Sequence, residues 1–155
     1  MKELEEAIKY FNDNVNGGVE CPCCKRYTKQ YNRKLNSGMA YALILIYLIS
    51  DDNDDYIHIS NEFVNKGIST PIRNEYSKLR YWGLIEPKLN DGNGGTSNGY
   101  WKITTKGENF VKNEIDVKER IQLINGELHG FDGDDINIIY ALNNKFDYHE
   151  LMSQK

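Results

Sequence analysis

Apolar residues stand at helical spacing from the first turns of the chain: Leu4, Ala7, Ile8, Phe11 and Val15 recur every three or four positions with Glu and Lys between them, and Asn16-Gly17-Gly18 closes the pattern. That spacing predicts an amphipathic helix with one apolar stripe. The stripe packs on its own domain or on a second copy, and periodicity does not choose between them. Met39 to Ile49 is an unbroken apolar run. A helix that is apolar nearly all round is a buried one, so Gly38 to Ser50, capped by Ser37, is expected to be the central helix. After the acidic cluster Asp51 to Asp55, Tyr56-Ile57-His58-Ile59 alternates like a short strand. Ser60 is placed to cap a short helix over Asn61 to Lys66, and Gly67 ends it. Ser69-Thr70-Pro71 then opens another, with Pro at the first helical position, where its missing N–H costs nothing. In this second helix Ile72, Tyr76, Leu79 and Trp82 share one face at steps of four, three and three.

The periods change after Trp82. Gly83 is a natural left-handed stop, and Leu84-Ile85-Glu86-Pro87-Lys88 begins a strand. Leu89 to Gly99 is a loop with four glycines, and Tyr100-Trp101-Lys102-Ile103 returns as the partner strand. Further on, Arg120 to Ile124 and Glu127 to Phe131 flank Asn125-Gly126, a strong hairpin signal. Asp132-Gly133 is expected to turn the chain there, and Asp134 or Asp135 to cap a helix with Ile136, Ile139, Tyr140 and Asn143 on one face. Phe146, Tyr148, Leu151 and Met152 carry apolar content to the end.

Two short helices about a tight glycine turn make a helix-turn-helix. On the face of the second helix opposite Tyr76 and Leu79 stand Arg73, Asn74, Ser77, Lys78 and Tyr81. Arg, Lys and Asn are the side chains that contact base edges or hold phosphates, and the major groove admits one α-helix. The stretch L-R-Y-W-G-L-I-E, then a hairpin, then I-T-T-K-G-E-N-F-V resembles the winged-helix superfamily of bacterial and phage regulators. In that superfamily the recognition helix often ends in Leu-x-x-x-Gly-Leu-Ile, here Leu79 to Ile85. The hairpin there closes with Ile/Leu-Thr-x-x-Gly before a terminal helix, here Ile103 to Gly107. The chain is also similar in style to small phage and prophage proteins. The resemblance spans residues 37–112 and implies an α+β winged helix-turn-helix core that binds duplex DNA. Lys88, Asn93 and Lys102 would lie near the DNA backbone through the wing. Residues 1–36 then form an N-terminal helix and a cysteine-containing basic segment. Residues 113–155 form a hairpin-helix appendage, and all three segments are expected to make one compact unit.

Charge sharpens this picture. The 155 residues carry 19 basic and 23 acidic side chains, and their distribution is uneven: 2 and 5 in residues 1–21, 13 and 9 in residues 22–112, 4 and 9 in residues 113–155. A basic middle between acidic ends suits a DNA-binding core, and the acidic tail suits a protein partner, dimerisation or completion of the core. Winged helices also serve as protein-binding modules, so an acidic adaptor that touches no nucleic acid is the rival reading. The longest apolar run is shorter than the about 20 residues that span a bilayer, and the N-terminus lacks a basic-then-apolar leader. A cytoplasmic protein is expected.

Lys25, Arg26, Lys29, Arg33 and Lys34 follow one another without an acid and are interleaved with Tyr27 and Tyr31. This segment is a second candidate nucleic-acid contact, through phosphate neutralisation and ring stacking. Its spacing fits a helix and an alternating strand equally. Just before it, C-P-C-C places Cys21 and Cys24 at the C-x2-C spacing of a zinc knuckle. Zinc would need one of the isolated His58, His129 and His149, or a second chain, to complete the tetrahedron, since no second C-x2-C exists. A turn of reduced cysteines is the bland alternative, and a redox pair lacks the neighbouring βαβ pattern. No G-x-S-x-G, Walker or H-E-x-x-H pattern is present, so catalysis is not expected.

Overall fold

The computed structural model describes residues 3–50, 55–89 and 96–154, with the backbone alone for 96–98. Among them are seven α-helices, one 3-10 helix and three small antiparallel sheets, an α+β architecture. The chain divides into two compact units. One comprises residues 1–34 and 120–133, the other residues 35–119 and 134–155. The division departs from three consecutive segments because the C-terminal hairpin falls largely to the first unit and the helices after it to the second.

In the first unit, helix α1 (Leu4–Asn14) leads to strands β1 (Val19–Glu20) and β2 (Tyr27–Thr28), which pair antiparallel. Val15, Val19 and Ile124 are buried together, with Phe11 half-buried against them. Ala7 is also buried, but Leu4 and Ile8 are 67% and 51% exposed, so the expected stripe is only partly covered. The ambiguous basic segment is extended: β3 (Gln30–Lys34) pairs with β7 (Val117–Ile124) in register Gln30↔Ile124 to Lys34↔Arg120. β7 is the central strand of the order β3-β7-β8, with β8 running Glu127–Ile136. Asn125 and Gly126 join β7 to β8 with φ of 53° and 76°, the two left-handed residues that a tight hairpin turn requires.

The second unit is built round α2 (Ser37–Ser50), in which every residue from Ala42 to Tyr47 is buried. Asn36, rather than Ser37, caps it: its side-chain oxygen accepts from the Met39 N–H at 2.8 Å. Gly38 lets a neighbour approach, since a Cβ there would stand 3.1 Å from Ile72 of α4 (Thr70–Glu75). Strand β4 (Ile57–His58) runs straight into α3 (Ile59–Asn65). His58 caps that helix by accepting from the Asn61 N–H at 3.2 Å, a role expected of Ser60. The Ser60 hydroxyl is instead 3.1 Å from that of Tyr76.

After α4 the backbone tightens into a 3-10 helix, η1 (Tyr76–Trp82), so the single helix expected from Ser69 has two halves of different pitch. Gly83 ends it at φ 75°. β5 (Ile85–Leu89) and β6 (Thr96–Ile103) follow, and the sheet order is β4-β6-β5. Pro87 sits in the edge strand β5, where a missing N–H is tolerated, and the register shifts between Pro87 and Leu89. Phe63, Tyr76 and Trp101 make successive edge-on contacts at 5.2 and 5.9 Å that tie α3, η1 and β6 together.

Helix α5 (Thr105–Val111) begins with a compact junction. The Thr104 hydroxyl accepts from the Gly107 N–H at 3.0 Å and donates to the Gly83 carbonyl at 2.6 Å, while the Thr104 N–H donates to Leu84 O. The tail departs from expectation. Asp132-Gly133 does not turn the chain but lies inside β8, with Gly133 at φ 86°. Asn137, not Asp134 or Asp135, caps α6 (Ile138–Leu142) by accepting from the Tyr140 N–H at 2.8 Å. The later start rotates the helix. Ile138, Ala141 and Leu142 are buried, and Ile139 and Tyr140 are exposed. Asn137→Ala is expected to lower stability by about 1 kcal/mol through the lost cap, read as a lower denaturant midpoint. Phe146 stacks on Tyr41 of α2 at 4.2 Å, and α7 (Tyr148–Met152) is held by Tyr148, whose hydroxyl donates to Val111 O at 2.6 Å. Burial, then the nearby Tyr47 and Glu114, pushes the Tyr148 hydroxyl above the ordinary phenol pKa.

No helix among the described residues is long and apolar enough to cross a membrane.

Candidate functional site

The candidate recognition residues lie along α4 and η1, and the change of pitch decides which of them point outward. In a 3-10 helix side chains three apart eclipse one another. Tyr76, Leu79 and Trp82 therefore form one buried row. Asn74, Ser77 and Arg80 make a second row, and Glu75, Lys78 and Tyr81 a third. Asn74 and Arg80 are exposed and Ser77 is half-buried. Arg73, one step before Asn74, falls towards the buried row. Its Nη2 donates to Thr70 Oγ1 at 2.9 Å, and its Nε is buried without a partner. Arg73 is thus partly withdrawn from the surface, contrary to its placement on the outer face of a uniform α-helix.

Two further candidates are occupied. Lys78 Nζ is 2.7 Å from Glu75 Oε2, so its charge is answered on its own helix. Lys102 is 3.9 Å from Glu86 and lies 5.4 Å from the Tyr56 ring centroid. Lys88 on β5 sits 5.7 Å from the Tyr100 ring centroid. Asn93 lies outside the described residues. Arg80, absent from the sequence-based set, stands over the Tyr81 ring at 5.0 Å, with Nη2 3.3 Å from its hydroxyl. The signal for it was present in the chain, because the steps of three from Tyr76 to Trp82 match 3-10 pitch.

The second basic group belongs to the other unit. Lys29 lies 5.8 Å from the Tyr31 ring centroid, and Arg33 and Lys34 are exposed on β3. Lys25 and Arg26 flank the cysteine turn, with Lys25 in a left-handed conformation at φ 65°. Backbone N–H groups of Cys24 and Cys23, with smaller help from their thiols, hold the Cys21 thiol below the ordinary range. Among the described residues, no group of three or more His, Cys, Asp or Glu is arranged to hold a metal.

Division into units also redistributes the charge. Residues 35–119 and 134–155, which carry α4 and η1, hold 11 basic and 16 acidic side chains, whereas residues 1–34 and 120–133 hold 8 and 7. The unit that carries α4 and η1 is therefore net acidic, and the positive balance of residues 22–112 belongs to that sequence window and not to the unit with the candidate face. The acidic tail is partly answered as well, since Lys118 pairs with Asp135 at 3.3 Å and Arg120 with Asp132 at 3.5 Å. Comparison with protein-family models, curated proteins and solved structures yields no match. The class established by the geometry is the broad one, an α+β protein of two compact units.

Proposed function

We propose that residues 35–119 form a winged helix-turn-helix and that the protein binds duplex DNA through the Asn74–Ser77–Arg80 row. The observation that carries this reading is the order of elements. Helix α2, strand β4, helices α3 and α4–η1, then the β5–β6 hairpin give a sheet of order β4-β6-β5, with the candidate recognition segment entering the hairpin through Gly83. That succession agrees with the motif resemblance from Leu79 to Gly107. An exposed arginine in the outer row is suited to a guanine edge or a phosphate, and the asparagine two steps of three before it, Asn74, to an adenine edge.

The test is a duplex-binding titration at two salt concentrations. Arg80→Ala is expected to weaken binding by about tenfold or more, corresponding to the roughly 1–3 kcal/mol of a base-reading contact. Arg73→Ala should have a smaller effect, because its guanidinium is engaged within the fold. Equal affinity of parent and Arg80→Ala at both salts would remove this face from the proposal.

One observation favours a second reading, an adaptor that binds protein. The unit carrying the candidate face has more acidic than basic side chains, and Lys78 and Lys102 are each matched by a carboxylate. Capture of one protein partner at high salt, with no mobility shift on any duplex, would favour the adaptor.

A further inference from the structure

We propose that the hairpin tip from Cys21 to Lys25 is half of a zinc site, completed by a second copy of this chain, so that Cys21 and Cys24 of two chains bind one Zn2+ between them.

The tip is shaped for metal-bound thiolates. Beyond the pairs Val19↔Thr28 and Glu20↔Tyr27, the Cys21 N–H donates to Arg26 O at 2.8 Å, which leaves Pro22 to Lys25 as a tight tip. The Lys25 N–H donates back to Cys21 O at 2.9 Å, and its left-handed backbone turns the chain immediately after Cys24. The backbone N–H groups of Cys23 and Cys24 hydrogen-bond the Cys21 sulfur. Cys23 and Cys24 are exposed and Cys21 is half-buried, so the sulfurs are reachable from outside the chain.

Ligand number then requires another molecule. Structural zinc takes four ligands in a tetrahedron, and C-x2-C supplies two. Among the described residues of one chain nothing raises the set to three. A two-fold axis through the metal supplies the missing pair with the same two residues and satisfies the self-complementarity of an isologous contact. Zinc binding would release the protons still held on the four thiols to solvent, with no change of oxidation state.

The surroundings favour a second copy over an unrelated partner. An open, largely apolar cavity of about 260 Å³ lies beside the tip, lined by Ile8 and Phe11 of α1 as well as by the three cysteines and Arg26. The exposed Ile8 and Leu4 continue the apolar surface along α1. Glu3, Glu5 and Glu6 make the start of α1 acidic, whereas the tip carries Lys25 and Arg26.

The test uses the 155-residue chain, reduced and metal-free, titrated with Zn2+, followed by metal analysis and light scattering. Expected are one zinc per two chains, a doubled mass, and return to monomer on adding a chelator. Co2+ in place of zinc should give the charge-transfer absorption of tetrahedral thiolate ligation. Cys21→Ser and Cys24→Ser should each abolish uptake and dimer, while Cys23→Ser retains both. Ile8→Glu should prevent the dimer and the two-chain stoichiometry without removing a sulfur ligand, with circular dichroism confirming the fold of each variant. Zinc uptake at one per chain without a change of mass, no uptake at all, or a dimer indifferent to the chelator would each overturn the proposal.

Discussion

Replacing Trp82 with alanine is expected to lower the stability of the protein by about 3–5 kcal/mol, the cost of removing a large aromatic side chain from a packed interior. Trp82 is 1% exposed at the end of η1, in the same buried row as Tyr76 and Leu79. Its indole N–H donates to the Lys118 carbonyl at 2.7 Å, fastening η1 to the start of β7. Two effects are therefore lost together, and a second variant separates them. Trp82→Phe keeps most of the apolar volume but leaves the Lys118 carbonyl without its donor, a loss of about 1–3 kcal/mol. Urea denaturation of the three proteins gives both differences. If Trp82→Ala shifted stability by less than about 1 kcal/mol, the burial assigned to this ring would be wrong.

Gly107→Ala tests the junction that follows the β5–β6 hairpin. Helix propensity alone makes alanine better than glycine by about 1 kcal/mol within a helix. At Gly107 the opposite sign is expected. An added Cβ would collide with the Leu84 carbonyl oxygen and lie 2.8 Å from Ile103 Cγ1. The Leu84 carbonyl also accepts from the Thr104 N–H at 3.1 Å, so it cannot turn aside without breaking that bond. Overpacking of this kind costs about 1–3 kcal/mol and outweighs the gain in propensity. Comparison with Asn109→Ala in the same helix isolates the contact. A denaturation midpoint for Gly107→Ala at or above the parent's would show that Leu84 can yield.

The same junction gives physical content to the motif Ile103-Thr104-Thr105-Lys106-Gly107. Thr104 is needed for its bonds to the Gly107 N–H and the Gly83 carbonyl, and Gly107 because α5 crosses directly over Leu84. Both positions were legible as a pattern, but the reason for them was not, because Leu84 reaches Gly107 only after the hairpin has folded back. The candidate DNA-binding face was legible in part. Asn74 and Ser77 stayed on the outer row, while Arg73 was drawn inward and Arg80 emerged, because local pitch determines side-chain direction and composition does not report pitch.

Local sequence signals by themselves were sufficient for the elements that apolar spacing or turn chemistry marks most strongly. The central helix over Ser37–Ser50, the N-terminal helix and the Asn125-Gly126 hairpin all follow from apolar spacing and turn chemistry. These signals are local: a helix buried all round and a turn with two left-handed residues leave few alternatives to the chain nearby. Tertiary structure decided what depends on distant partners. Pairing with β7 made Gln30–Lys34 a strand where spacing fitted two conformations, and extension of β8 to Ile136 moved the next cap to Asn137. Strand pairing and packing supply free energy that no single segment contains, so they override weak local preferences and determine which side chains face the interior.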